Sequence, residues 1–349
     1  MELGENISLA PYTTLGIGGP ARWFAEAATE DDVTEAVGWA RRRGVPLFVL
    51  GGGSNLLIAD RGFDGLVLRV ALRGIEANDE AGVLRSAAGE PWEYCVQKSL
   101  EIGWAGIECL SGIPGTVGGT PVQNVGAYGQ EVAPVIARVR VFDIAENGWV
   151  ELSAEECGFA YRRSRFNTTD RGRFVVTRVD FRLAPGGAPT LRYGELRQAV
   201  ETAHASGGQP TLAEAAAIVR EIRRGKGMLM VEDDPDCRSA GSFFKNPIVS
   251  EDLFQRIAAR SAPPRFAAEP GPGGEARVKI SAAWLIEQAG YSRGYALGNA
   301  GISSRHTLAL INRGGARAAE ILALAGKIAA AVEQRFGVRL EMEPVTVGF

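Results

Sequence analysis

The sequence predicts an α+β protein of two or three domains. The chain has 349 residues, and single domains usually hold about 100 to 200. Apolar residues make up 46% and charged residues 23%, which is close to ordinary globular composition and excludes a disordered chain, a small disulfide scaffold and a bundle of membrane helices. Alternating apolar and polar residues in some segments and helical apolar stripes in others indicate that both strands and helices form the core.

The first 70 residues have the pattern of a small α/β unit. Thr29 is a good helix N-cap, and acidic residues follow it at 30–32. The predicted apolar face of this helix contains Val33, Ala36, Val37 and Ala40. Strands are predicted at 46–50 and 65–70, on either side of a glycine-rich loop.

Residues 80–185 carry mostly strand signals. Apolar and polar residues alternate from Val175 to Leu183, and Asn147 with Gly148 predicts a hairpin turn between two apolar runs. The turn-rich segment 184–189 then predicts a linker.

The remainder of the chain is predicted to contain two longer helices. Thr211 and Glu214 have the spacing of a capping box. The apolar stripe behind it is formed by Leu212, Ala215, Ala216, Val219 and Ile222. A second helix is predicted from about Ala318 to Phe336, with Ile321, Leu322, Ala325, Ile328, Ala329 and Val332 facing inward.

Charge and cysteine usage narrow the class of function. The formal net charge of −3 provides no overall field for nucleic acid or anionic lipid, so any anion site has to be local. The first residues lack the basic and apolar regions of a signal peptide. We expect no metal site, because the cysteines form no CxxC pair and the histidines have no carboxylate cluster beside them. The cysteine residues are Cys95, Cys109, Cys157 and Cys237, and the histidines are His204 and His306.

Two glycine-rich loops are the strongest local signals for a ligand. Residues 50–55 follow a predicted strand, and their backbone N–H groups, with Ser54 and Asn55, could cradle a diphosphate. A tight turn between buried strands explains this loop equally well. Residues 111–129 contain further glycines together with hydroxyl and amide side chains, and two such loops suggest a dinucleotide. Residues 16–21 match G-x-G-x-x-A, but the segment leads into a predicted strand and therefore does not indicate a Rossmann site.

Six motifs, in order, resemble those of the UDP-N-acetylenolpyruvoylglucosamine reductase (MurB) family. They lie at residues 13–19, 50–55, 113–115 with 123–129, 161–166, 241–247 and 284–290. The resemblance implies an FAD-binding domain of the vanillyl-alcohol-oxidase (PCMH) type with two α/β subdomains, at 1–70 and 71–187, and a MurB-type α+β substrate domain at 205–349. It also implies noncovalent FAD and NADPH as co-substrate.

The resemblance implies three catalytic residues. Ser242 corresponds to the serine that protonates the enol intermediate, although a turn residue is the alternative. Arg162 corresponds to the arginine that binds the substrate carboxylate, while an exposed surface arginine is the ordinary explanation. Glu343 corresponds to the C-terminal glutamate that polarises the intermediate, and Glu341 is the reserve because Pro344 replaces the valine usual after that glutamate.

The remaining site residues are also implied by the resemblance. The predicted cofactor contacts are Gly51, Gly52, Gly53, Ser54, Asn55, Pro114, Gly115, Gly118, Gly119, Gln123, Asn124, Gly126 and Arg223. The predicted substrate contacts are Tyr193, Lys226, Asn246 and Gln288. Tyr193 indicates the type I branch of the family. A cationic helix end is the alternative for Lys226, and a capping role in a loop is the alternative for the two amides.

The resemblance implies a cytoplasmic, monomeric enzyme of peptidoglycan precursor synthesis. It would use NADPH to reduce FAD and would then reduce UDP-N-acetylglucosamine enolpyruvate to UDP-N-acetylmuramate, with hydride added at C3 and a proton from Ser242 at C2. Its partner is a nucleotide sugar, with no nucleic acid and no membrane. A flavin oxidoreductase acting on another alcohol or sugar, and a noncatalytic flavin or nucleotide-sugar binding protein, are the alternatives.

Overall fold

A computed structural model describes residues 1–205, 207–271 and 273–349. The chain forms two compact units. The first unit comprises Met1–Ile7, Pro20–Gly53 and Phe63–Gly225, and the second comprises Ser8–Gly19, Ser54–Gly62 and Lys226–Phe349. Two short segments near the N-terminus therefore belong with the C-terminal third of the chain. The first unit also continues to Gly225, beyond the linker predicted at 184–189.

The helices are α1 (Glu30–Arg43), α2 (Trp92–Glu101), α3 (Gly194–Ala203), α4 (Leu212–Gly225), α5 (Glu251–Ala258), α6 (Ala282–Gln288) and α7 (Ala318–Phe336). The strands of the first half are β1 (Leu3–Ser8), β2 (Pro20–Ala27), β3 (Leu47–Leu50), β4 (Leu56–Ile58), β5 (Phe63–Val70), β6 (Ile75–Asn78), β7 (Val83–Ala87), β8 (Trp104–Ala105), β9 (Gly126–Ala127), β10 (Gln130–Glu131), β11 (Ile136–Asp143) and β12 (Gly148–Ser153). Those of the second half are β13 (Phe174–Arg182), β14 (Ala184–Pro185), β15 (Ser239–Ser242), β16 (Ile248–Ser250), β17 (Arg265–Ala267), β18 (Arg277–Ile280), β19 (Ala296–Leu297), β20 (Ala300–Ile302), β21 (Ala309–Asn312) and β22 (Val345–Val347).

The first unit contains two main sheets. In the four-stranded sheet β1-β2-β5-β3, strand β5 runs parallel to both β2 and β3. Helix α1 begins as predicted, because the Thr29 side chain accepts a hydrogen bond from the backbone N–H of Asp32 and the Asp32 carboxylate accepts one from Thr29. Its predicted apolar face is buried. The predicted helix and the strands predicted at 46–50 and 65–70 are confirmed as α1, β3 and β5, whereas residues 8–19 and 54–62 belong to the second unit.

The second sheet of this unit is the five-stranded, antiparallel β12-β11-β13-β7-β6. Asn147, with φ of +55°, makes the predicted turn between β11 and β12. The predicted alternation along β13 is incomplete, because Val176 and Asp180 are also buried. The Asp180 carboxylate accepts hydrogen bonds from the Arg178 guanidinium, which compensates for its burial.

Helix α4 closes the first unit. The Thr211 and Glu214 side chains form the predicted capping box. Ile222 is only half-buried and Arg223 takes an inward position instead, because the guanidinium finds hydrogen-bond acceptors there, as described below. Leu196 and Val200 of α3 pack with Val219.

The second unit is built from β15-β21-β20-β19, β16-β18-β17 and α5 to α7. Strand β22 pairs in parallel with β4, so residues near the C-terminus complete a ladder with residues 56–58. Helix α7 has the predicted bounds, but Leu324 is buried whereas Leu322 and Ala329 are only half-buried. The apolar stripe is therefore shifted slightly around the helix. Among the described residues, we find no helix with the length and apolar character needed to cross a membrane.

Candidate functional site

The two glycine-rich loops lie against each other in the first unit. A Cβ atom at Gly52 would lie 2.5 Å from Gly115 Cα, and one at Gly51 would lie 2.9 Å from Thr116 Oγ1. Gly53 and Gly115 have φ angles of +62° and +126°, which other residues rarely adopt. The structure therefore brings together two loops that the sequence identified separately, with their backbones in close approach.

The surface of these loops fits the diphosphate of FAD. Thr116 Oγ1 is buried and has no hydrogen-bond partner among the described residues. A buried hydroxyl of this kind costs free energy unless a ligand or water satisfies it. The space beside Gly119 is open within 4 Å. An anionic group of a ligand could accept a hydrogen bond from this hydroxyl and lie against the glycine backbone. The sequence did not single out Thr116, because a hydroxyl inside a glycine-rich segment is an ordinary turn residue.

We expect Gly52→Ala to lose FAD affinity and about 3 kcal/mol of folding free energy, because the new methyl group would overlap the Gly115 backbone. Urea unfolding and flavin fluorescence titration measure the two effects. Gly148→Ala is the matched control, since a Cβ there meets only Glu146 O, at 4.0 Å. Equal behaviour of the two variants would show that the loop contact is unimportant.

Several other predicted cofactor residues make packing or hydrogen-bond contacts within the first unit. A Cβ at Gly118 would lie 2.6 Å from Ala88 Cβ, and one at Gly126 would lie 2.6 Å from Glu131 Cγ. Asn124 is buried, and its amide donates to Glu131 and accepts from the N–H of Ala133. Pro114 and Gln123 are half-buried in the same loop. Packing therefore accounts for part of this glycine-rich pattern.

Arg162 is bound to the second glycine-rich loop. Its Nη1 donates to the carbonyl of Asn124 at 3.3 Å, and its Nη2 donates to the carbonyl of Gly126 at 2.5 Å. Arg162 has a φ angle of +55° and is half-buried. The neighbouring Arg163 is exposed. These bonds orient the Arg162 guanidinium, which is the first requirement for a carboxylate-binding fork.

A charged network that includes the buried Arg223 holds the start of this loop. Arg223 Nε donates to the carbonyl of Gly112 at 3.0 Å, and the Glu93 carboxylate accepts from the N–H of Gly112 at 2.5 Å and from Arg220 Nη1 at 2.5 Å. Burial lowers the pKa of the Arg223 guanidinium, and its hydrogen bond with Tyr128 opposes that effect. Arg223 thus supports the loop through protein contacts. Glu93 and Arg220 carried no motif and were missed from sequence.

Tyr193 also lies in the first unit, as the N-cap residue of α3. Its ring is 40% exposed and packs edge-on against Tyr128, with ring centroids 5.4 Å apart. Tyr193 is therefore held by packing against Tyr128 and remains partly exposed.

In the second unit, the backbone pairs Glu343 with Phe243, the residue that follows Ser242. The N–H of Glu343 donates to the carbonyl of Phe243 at 2.9 Å, and Phe244 forms a bridge with Met342. Ser242 is half-buried and precedes two buried phenylalanines.

The reserve glutamate, Glu341, is engaged elsewhere. Lys245 Nζ lies 3.3 Å from its carboxylate, and the N–H of Lys245 donates to its carbonyl at 3.0 Å. The Glu341 side chain is 75% exposed. This ion pair involves both Glu341 and Lys245, which follows Ser242 by three residues in the chain.

Ser54 and Asn55 belong to the second unit, although they continue the first glycine loop. Asn55 Nδ2 donates to the carbonyl of Glu343 at 3.3 Å, and its carbonyl accepts from the N–H of Val345 at 2.9 Å. The carbonyl of Ser54 accepts from Thr14 Oγ1, which also donates to the carbonyl of Ser239 at 2.6 Å. This chain segment therefore fixes the backbone around Glu343.

The remaining predicted substrate residues are more dispersed. Asn246 Oδ1 accepts from the N–H of Ala282 at 2.9 Å and so caps α6, whereas the exposed Gln288 ends the same helix. Asn246 therefore contacts the first residue of α6 and Gln288 is its last, and the seven residues of this helix span about 10 Å. Lys226 is the first residue of the last segment of the second unit and is half-buried. The segment 227–240 contains Asp234 and Asp236, and both of their carboxylates pair with the Arg305 guanidinium.

The cysteines are buried and free. Burial raises the pKa of the Cys95, Cys109 and Cys157 thiols to about 12, and it also raises that of Cys237. These thiols stay protonated at neutral pH, which makes them poor nucleophiles. Within the described residues, the structure contains no group of three metal-binding side chains.

We therefore expect the native protein to resist iodoacetamide, and all of its cysteines to react once it is unfolded in urea. Mass spectrometry of the alkylated protein measures the difference. Rapid labelling of any cysteine in the folded protein would contradict the described burial.

Comparisons with known proteins agree on one family. Residues 233–347 match the model described as UDP-N-acetylenolpyruvoylglucosamine reductase, C-terminal domain, and residues 21–153 match an FAD binding domain. UDP-N-acetylenolpyruvoylglucosamine reductase of Thermobifida fusca is 47% identical over 99% of this chain and 98% of its own length. The reductase of Streptomyces coelicolor is also 47% identical, over 97% of this chain and 89% of its own.

A solved structure agrees with these sequence relatives. UDP-N-acetylenolpyruvylglucosamine reductase (MurB) from Thermus caldophilus is 28% identical and superposes with a TM-score of 0.66, covering 99% of this chain and 98% of that one. Together with the domain matches, it confirms the predicted fold class.

Proposed function

The chain belongs to the UDP-N-acetylenolpyruvoylglucosamine reductase family, and from this premise we propose which of its residues carry out the reduction. It is a flavin-dependent oxidoreductase that reduces UDP-N-acetylglucosamine enolpyruvate to UDP-N-acetylmuramate. Bound FAD supplies the hydride that this chemistry needs. The protein supplies binding, orientation, a proton and charge stabilisation.

The proton donor in this proposal is Ser242, and the observation that carries it is the bond between the Glu343 N–H and the Phe243 carbonyl. Reduction of the enolpyruvyl double bond adds hydride at C3 and a proton at C2. Ser242 Oγ provides that proton, and the Glu343 carboxylate polarises the intermediate beside it. An alcohol is a weak acid, and the buried Phe243 and Phe244 exclude the water that would solvate its anion, so hydrogen-bond donors or positive charge at the site have to stabilise the alkoxide.

Arg162 binds the substrate carboxylate in this proposal. Its guanidinium is permanently charged and planar, and two backbone carbonyls orient it. Charge that develops next to the carboxylate during reduction is stabilised by such a preorganised cation.

The other residues bind the two ligands. Lys226 takes the nucleotide-sugar diphosphate, and Tyr193, Asn246 and Gln288 take other polar groups of the substrate. The flavin is held by Gly51, Gly52, Gly53, Ser54, Asn55, Pro114, Gly115, Gly118, Gly119, Gln123, Asn124 and Gly126, with Arg223 supporting the loop. To these we add Thr116, whose buried hydroxyl has no hydrogen-bond partner among the described residues.

The finer physiological assignments rest on the family resemblance. NADPH is the reductant, and the product serves peptidoglycan precursor synthesis and hence cell shape and division. The enzyme is cytoplasmic and monomeric, and Tyr193 places it in the type I branch.

Steady-state assays with NADPH and NADH, with mass spectrometry of the product, test this proposal. We expect faster turnover with NADPH at equal concentration, and a product two hydrogens heavier than the enolpyruvyl substrate. Equal turnover with NADH would overturn the cofactor assignment, and an unchanged substrate mass would overturn the reaction.

A further inference from the structure

Glu108 is a fully buried carboxylate that no step of the proposed mechanism uses. Its Oε2 accepts from the N–H of Gly106 at 2.7 Å, and its Oε1 accepts from Gln130 Nε2 and the N–H of Thr190, both at 2.8 Å. No lysine, arginine or histidine pairs with it among the described residues. A carboxylate without a cation is costly to bury, and here backbone and amide donors replace the lost water.

The hydrogen bonds of Glu108 converge on Thr190. The carbonyl of Thr190 accepts from the Cys109 thiol at 3.0 Å, and its hydroxyl accepts from Gln130 Nε2 at 3.2 Å. All three polar groups of Thr190 are therefore bonded to the 108–130 region. The protonated state of the Cys109 thiol, described above, keeps it available as a donor.

Thr190 lies three residues before Tyr193. The loop also approaches the intervening backbone, because a Cβ at Gly129 would lie 3.0 Å from Arg192 Cβ and 3.1 Å from the nitrogen of Tyr193. With the Tyr128 ring packed against Tyr193, the segment is held at both its start and its end.

We propose that Glu108 is the positioning residue that fixes the Tyr193 segment for substrate binding. This inference rests on the proposed role of Tyr193 as a substrate residue. Glu108 acts through Thr190 and touches no reacting atom. A carboxylate is required because it accepts from three donors at once, whereas an amide at the same place would put an NH2 group against one of them.

The test uses the FAD-loaded full-length protein with Glu108→Gln, Tyr193→Phe and the double variant. We expect Glu108→Gln to raise the KM for the enolpyruvyl substrate about tenfold with flavin reduction by NADPH unchanged. The KM of the double variant should not exceed that of the more strongly affected single variant, because both changes impair the same contact between Tyr193 and the substrate. Thr190→Ala should act in the same direction by about threefold, and it provides a milder variant if Glu108→Gln folds poorly.

Asp143→Asn is the matched control. Asp143 is also buried in the first unit and accepts from the N–H groups of Ala145 and Glu146, but it ends β11 and pairs with Arg173. The Asp143→Asn variant should have a lower free energy of unfolding and an unchanged KM for the enolpyruvyl substrate. A native KM in Glu108→Gln, or fully additive effects with Tyr193→Phe, would overturn the inference.

Hydrogen exchange separates this inference from the proposed role of Tyr193. We expect faster amide exchange at 190–193 in Glu108→Gln and unchanged exchange there in Asp143→Asn. If Tyr193→Phe alone leaves KM unchanged, the substrate role of Tyr193 is what fails. If exchange at 190–193 is unaffected by Glu108→Gln, the anchoring role of Glu108 fails whatever Tyr193 does.

Discussion

Replacement of Ser242 by alanine should slow reoxidation of the reduced enzyme by the enolpyruvyl substrate about 10³-fold, while NADPH should still reduce the flavin at the wild-type rate. The variant lacks the hydroxyl that we assign as proton donor to C2. Because hydride and proton have to be added to adjacent carbons, loss of the donor stalls only the second half-reaction. Stopped-flow absorbance of the two half-reactions, measured separately under anaerobic conditions, provides the comparison.

Ser250→Ala is the control for this experiment. Ser250 lies in the same unit and caps α5, accepting a hydrogen bond from the N–H of Leu253. Its loss should cost about 1 kcal/mol of stability and leave both half-reactions intact. If Ser242→Ala reoxidised at the wild-type rate, Ser242 would be the turn residue that its sequence context also allows.

Replacement of Arg162 by lysine should lower kcat/KM for the enolpyruvyl substrate about 10²-fold. Lysine keeps the charge but loses the planar fork and the two hydrogen bonds that orient it on the loop. FAD affinity and the rate of flavin reduction should change little. Steady-state kinetics combined with a flavin titration separate these quantities.

Arg163→Lys gives the matched comparison, because Arg163 is adjacent in sequence but exposed. Its kcat/KM should stay within about twofold of wild type, as is usual for surface substitutions. Similar losses in both variants would mean that general positive charge, rather than the oriented guanidinium, accounts for the effect.

The sequence predicted the local elements well, because caps, turns and apolar stripes are encoded by residues close together in the chain. Helix α1 with its Thr29 cap and the Asn147 turn are examples. It could not predict that residues 54–62 leave the first unit to join the second. That arrangement depends on pairing between β4 and β22, which come from opposite ends of the chain.

The sequence identified some residues of the candidate site and missed others, because motifs depend on residues close together in the chain. Motifs identify residues with distinctive neighbours, such as Ser242 and the glycines of both loops. They do not identify Thr116, whose hydroxyl is buried without a hydrogen-bond partner among the described residues. They also do not identify Glu108, which is buried and bonded to Thr190, a residue distant in sequence. Glycine motifs also do not separate ligand contact from packing, because a Cβ at Gly118 would lie 2.6 Å from Ala88 Cβ.

Electron transfer from the reduced flavin to the enolpyruvyl substrate tests the central claim most directly. Wild-type protein, loaded with FAD and reduced anaerobically with NADPH, would be mixed with one equivalent of UDP-N-acetylglucosamine enolpyruvate while the visible flavin absorbance is followed. We predict full return of the oxidised spectrum with formation of UDP-N-acetylmuramate. Persistence of the reduced spectrum would contradict the account.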